Sequence, residues 1–116
     1  MRWDFLPGVP EEILAYGGGG MTREEILAAA KQCVCGDRDQ DYGSPETSFN
    51  TIAALWEPYI REKCVGPDAD VCITGADVGA MMCLFKLARI ATGHGKADNW
   101  IDLAGYAACG GELEDV

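Results

Sequence analysis

Ala76 to Gly93 reads ADVGAMMCLFKLARIATG, the longest mostly apolar stretch of the chain. Asp77, Lys86 and Arg89 interrupt it, so it reads as a buried helix of a soluble protein and not as a membrane span. Val78, Met81, Met82, Phe85 and Ala88 line one side at helical spacing. Leu84, Leu87 and Ala91 line another. A helix apolar on most of its circumference is expected at the centre of a fold. Its start is marked by Thr74 with Asp77 three residues on, a variant capping box.

Three further helices are predicted around it. The first opens at Thr22, with Glu25 completing a capping box. Ile26, Leu27, Ala30, Cys33 and Val34 form its stripe, and Gly36 ends it. The second opens at Ser44-Pro45-Glu46: an N-cap, a proline at the first helical position and an acid where the helix dipole favours one. Phe49, Ile52, Ala53, Trp56 and Ile60 recur along it, and Pro58 kinks it or ends it near Trp56. Residues 64–73 read as a loop. The last helix opens near Asp98, packs through Trp100, Ile101, Leu103, Ala104 and Ala107, and ends at Gly110-Gly111. Strand patterns are missing. The expected fold is all-α, an antiparallel bundle of about four helices over residues 21–111, followed by an acidic tail at 112–116.

The chain has 116 residues, 48% of them apolar, which suits one domain with a real core. Residues 1–20 stand apart: two prolines, then Gly17–Gly20, read as a flexible extension ahead of a natural start at Met21. A net charge of −10, from 9 basic and 19 acidic residues, disfavours direct nucleic-acid binding. It leaves carboxylates that hold divalent cations, a surface imitating nucleic acid for a basic partner, or plain solubility. The six cysteines include no C-x-x-C pair, and His94 is the single histidine. With no secretory leader in the N-terminal text, the reading is a reducing, cytoplasmic protein with no membrane role. A zinc site built on Cys33 and Cys35 finds little support in these spacings.

Two acidic constellations invite chemistry. Asp37, Asp39 and Asp41 match positions 1, 3 and 5 of a calcium loop. Tyr42 stands where its glycine belongs and Ser48 where its bidentate glutamate belongs, so an EF-hand is rejected. The stronger signal is KADNWIDLAGYAAC, Lys96 to Cys109. Asp98 and Asp102 are four apart and share one helical face, which suits a shared Mg²⁺ that also takes phosphate oxygens. The plainer reading makes Asp98 a helix cap and pairs Asp102 with Lys86 or Arg89. Those two cations could grip a triphosphate, hold the third and fourth helices in register, or both. Glu46 and Asn50, also four apart, could complete a metal or base site. Trp56, Trp100 and Tyr106 are core aromatics more often than stacking platforms.

RDQDYGSPETSFNTIAALW, DVGAMMCLFKLARI and KADNWIDLAGYAA, in this order, resemble blocks of a group of small phage and prophage proteins, over Gly36 to Cys109. That group is in turn similar to the MazG-like all-α nucleoside triphosphate pyrophosphatases. The resemblance implies a helical, homo-oligomeric, Mg²⁺-dependent enzyme that cleaves an NTP or dNTP into NMP and pyrophosphate. It implies metal ligands at Asp98 and Asp102, with Tyr106 as the aromatic that follows them. The family's E-E-x-x-E helix has no full counterpart, because Ala28 follows Glu24 and Glu25 where a third acid belongs; Glu46 or Asp77 would have to substitute. The expectation is therefore a nucleotide pyrophosphohydrolase, or a degenerate nucleotide-binding relative. Metal and catalysis fall to Asp98, Asp102 and Glu46, and substrate binding to Lys86, Arg89, Asn50 and Tyr106. The other reading is a non-enzymatic acidic inhibitor of a host defence protein, acting in the bacterial cytoplasm by occupying a basic nucleic-acid channel, as an anti-CRISPR protein does.

Overall fold

The computed structural model describes residues 20–36, 44–93 and 95–114. Within them lie four α-helices and no strand: α1 Arg23–Cys35, α2 Pro45–Ile60, α3 Gly75–Ala91 and α4 Ala97–Leu113. A π-helical turn, Arg61–Val65, extends α2. No described helix is long and apolar enough to cross a membrane. The extension ahead of Gly20, the aspartates 37, 39 and 41, and His94 lie outside the described residues.

The helix starts form as their caps dictate. Thr22 and Thr74 each accept a backbone N–H from the residue three on, and Glu25 and Asp77 return the bond to the cap backbone. Ser44 accepts from the Thr47 N–H at 3.3 Å, with Pro45 in the first turn, where its missing N–H costs nothing. α4 differs: its cap is Lys96, which makes no side-chain bond, and Asp98 accepts the Asn99 N–H from inside the first turn.

Pro58 does not end α2. The helix runs through it to Ile60, and the turn that follows widens to π spacing, closing with a Gly66 N–H to Arg61 carbonyl bond of 2.7 Å. Gly66 sits at φ 131°, a conformation only glycine adopts freely. Because α2 and α3 start at the same end of the bundle, residues 66–74 must return along α2. Glu57 fixes that return: one carboxylate oxygen accepts from the Ile73 N–H at 2.9 Å, the other from Arg61 at 3.1 Å, and Arg61 also donates to the Val71 carbonyl at 3.3 Å. Glu57→Gln keeps one acceptor and loses the charge. It is expected to lower stability by about 1–2 kcal/mol in urea titrations.

Two buried clusters share α4. Phe49, Ala53, Val78, Met82, Tyr106 and Cys109 form the first, with Leu113 packed against it. Ala29, Ala30, Cys33 and Ile101 form the second. The centre is thus shared: α3 and α4 pack along each other, α1 lies on α4, and α2 lies chiefly on α3, with Phe49 reaching Tyr106 of α4. On α3 only Gly75, Val78, Gly79, Met82 and Lys86 are buried, while Met81, Leu84, Phe85 and Leu87 are exposed. Trp100, expected in the core, is exposed as well. The Gly110-Gly111 pair does not stop α4, which continues through Glu112 and Leu113 into the stretch read as tail. Gly110 is instead a contact surface. A Cβ at Gly79 would stand 2.7 Å from the Gly110 Cα, so α3 and α4 meet backbone to backbone.

All six cysteines are reduced thiols. Cys35, Cys64 and Cys72 are exposed, Cys33 and Cys109 are buried, and Cys83 is half-buried with its thiol on the Leu103 carbonyl. Burial pushes the Cys83 thiol above its ordinary pKa, so little of it is thiolate near neutrality. Alkylation of the folded protein near pH 7.5 is expected to label Cys35, Cys64 and Cys72 first. Peptide mapping should find the other three at least about tenfold slower.

Candidate functional site at the α3–α4 seam

Lys86 falls four residues after Met82 and eight after Val78, on the inward face of α3. Its stem crosses the core and its ammonium meets Asp102 of α4, Nζ to Oδ2 at 2.9 Å, with both side chains 1% exposed. The Nζ also stands 5.7 Å from the Phe85 ring centre. One turn on, the half-buried Arg89 donates from Nε to the Asn99 Oδ1 at 2.9 Å. The backbone N–H of Asn99 in turn donates to the Asp98 Oδ1 at 3.0 Å.

Five polar residues from two helices therefore form one group: Lys86, Arg89, Asp98, Asn99 and Asp102. Its inner half, Lys86 with Asp102, is sealed from water. Its outer half, Arg89 with Asp98, is half exposed beside the 92–96 connection. Low polarity around the inner pair strengthens its attraction and raises the cost of separating it. The Lys86–Asp102 ion pair joins α3 to α4, as the plainer reading of Asp102 expects. Asn99 was missed in the sequence. Its signal was present, because Asn99, Asp102 and Tyr106 follow one another at three and four residues and share a helix face.

The other expected site residues lie elsewhere. Tyr106, fully buried, packs on Phe49 with ring centres 6.2 Å apart, as a core aromatic. Asn50 sits against Gly75 at the start of α3. Glu46 borders a 780 Å³ cleft between the ends of α1 and α4 and the start of α2, with Cys35, Ser44, Cys109, Glu112 and Glu114. Eleven residues of α4 separate Asp102 from Leu113 at that end, about 16 Å along the axis. Glu46 is thus not brought together with Asp98 and Asp102 around one cation. Among the described residues no group of three or more His, Cys, Asp or Glu side chains is arranged to hold a metal.

A four-helix all-α domain with a buried polar seam between its last two helices is the class that fold and site define. Residues 25–114 match the family described as Domain of unknown function (DUF6378), and the chain belongs to that family. It is a phage protein family. The "Gene 55 protein" of Mycobacterium phage D29 is 36% identical over 87 residues, which are 74% of this chain and 51% of the relative. The "Gene 55 protein" of Mycobacterium phage L5 is 38% identical over 82 residues, 71% of this chain and 47% of the relative. The chain spans about half the length of these curated relatives. No solved structure matches it.

Proposed function

We propose that this phage protein handles the triphosphate of a nucleotide at the outer half of the α3–α4 seam. One observation carries the reading: Lys86, Arg89, Asp98 and Asp102, singled out for phosphate and cation chemistry, converge in one group from two helices. Arg89 offers a planar fork suited to phosphate oxygens, and Asn99 holds that fork in place. Two carboxylates are what Mg²⁺ takes from a protein when phosphate oxygens complete its shell. Asp98 is the accessible one, and Asp102 becomes one only when Lys86 turns from it to phosphate. Bound there, the ion would polarise phosphorus and activate water for pyrophosphate release. Glu46 stays outside this group, which favours binding with slow turnover over fast hydrolysis.

The test is direct. The protein, with Mg²⁺ and a panel of NTPs and dNTPs, is followed by chromatography for NMP and pyrophosphate, and by calorimetry for binding. Asp98→Ala is expected to remove product or binding while the circular dichroism stays helical. A folded wild-type protein that neither binds nor cleaves any nucleotide sinks the reading. The acidic inhibitor then takes its place: the net charge of −10 supports a protein that occupies a basic channel, with affinity falling steeply in salt.

A further inference from the structure

The geometry points to Phe85 as the residue on which the base of a bound nucleoside triphosphate stacks, with purines held more tightly than pyrimidines. The inference rests on the nucleotide reading above and adds the part of the ligand that phosphate chemistry does not address.

Phe85 is the single aromatic of α3 and stands four residues before Arg89. Side chains at that spacing are neighbours on one helix face, about 6 Å apart along the axis. A nucleotide spans a similar distance from its first phosphate to its base. The ring is also held in place. The Lys86 Nζ lies over it, 5.7 Å from its centre, and is itself fixed on Asp102 at 2.9 Å. Yet the residue is 37% exposed. With the ammonium against one side of the ring, the other side is open to a ligand.

Both helices place this surface on the same side of the seam. Phe85 follows Val78 by seven residues, about two turns, and Asp98 precedes Cys109 by eleven, about three turns. Val78 and Cys109 both pack in the cluster with Phe49 of α2. Phe85 and Asp98 therefore open on the side where α2 lies. Trp100, the exposed aromatic of α4, is about 200° around that helix from Asp98, on the far side. Tyr106 is fully buried. Phe85 is left for the base. Its neighbours one turn either way on α3 are Met81, Met82, Ala88 and Arg89. With Arg89 given to phosphate, α3 offers the base a flat contact and no hydrogen bond to its edge. Such stacking tolerates any base and grows with its area, which favours purines.

Binding to the full chain is measured by calorimetry in Mg²⁺ with three probes: α,β-methylene-ATP, which resists cleavage, α,β-methylene-UTP and inorganic tripolyphosphate. The ATP analogue is expected to bind more tightly than the UTP analogue. Phe85→Leu keeps an apolar cover over Lys86 and removes the ring. It is expected to weaken the ATP analogue about tenfold relative to tripolyphosphate. Phe85→Tyr and Trp100→Leu are both expected to keep the wild-type ratio. A ratio that Phe85→Leu leaves unchanged overturns the proposal. So does a ratio that Trp100→Leu lowers, or a wild-type chain that binds the two analogues equally. In those cases binding of tripolyphosphate leaves the phosphate site standing. A folded wild-type chain that binds none of the three overturns this proposal and the nucleotide reading together.

Discussion

Lys86→Met is expected to cost about 3–5 kcal/mol of folding stability, the largest single effect in the molecule. The ammonium lies 2.9 Å from the Asp102 carboxylate, with both side chains 1% exposed. Methionine fills nearly the same volume, so packing changes little. What changes is that the carboxylate loses its counter-charge in a place water does not reach. It must then be protonated, recruit water or move α4. A 3–5 kcal/mol loss is a large share of the roughly 5–15 kcal/mol that a domain has in total. Urea unfolding should show a lower midpoint with an unchanged slope. The double variant Lys86→Met/Asp102→Leu discriminates the cause: with both charges gone, most of the loss is expected to return. If the double variant is as unstable as the single, register and not charge is what the pair supplies.

Gly79→Ala is expected to cost about 2–3 kcal/mol, although alanine is the better helix former by about 1 kcal/mol. The new methyl would stand 2.7 Å from the Gly110 Cα, 3.1 Å from its nitrogen and 3.2 Å from the Tyr106 carbonyl oxygen. All three neighbours are backbone atoms of one helix, so no side chain can swing aside and α3 must lift from α4. Lifting α3 also stretches the Lys86–Asp102 contact two turns along the same seam. Gly111→Ala meets nothing within 4 Å of its own chain and is expected to shift stability by less than about 1 kcal/mol. Thermal melts of the two variants side by side test the contrast.

What the sequence made legible were the ends and the periods. Thr22 with Glu25, Ser44 with Pro45, and Thr74 with Asp77 all start helices where local chemistry says they should. Local chemistry says nothing of which helix the others surround. α3 carries the most continuous apolar run, yet much of that run faces outward. α4 carries Asp98, Asn99 and Asp102 and nevertheless shares the centre with α3, because its polar groups find partners inside. Glycine misled for a similar reason: Gly110 was read as a stop, while a close helix crossing needs glycine mid-helix. At the site, the Lys86–Asp102 pairing was readable from charge and spacing. The separation of Glu46 was not, since it depends on α2 and α3 starting at the same end, a matter of how residues 61–74 travel.

The position of α4 also bears on how the chain is born. Tyr106 and Cys109 in one cluster, and Ile101 in the other, join the parts that α1, α2 and α3 contribute. All three belong to the last of the four described helices. Until that helix emerges from the ribosome, the α1 face has no partner and the α2–α3 pair lacks Tyr106 and Cys109. Folding is therefore held until synthesis of this region is nearly done.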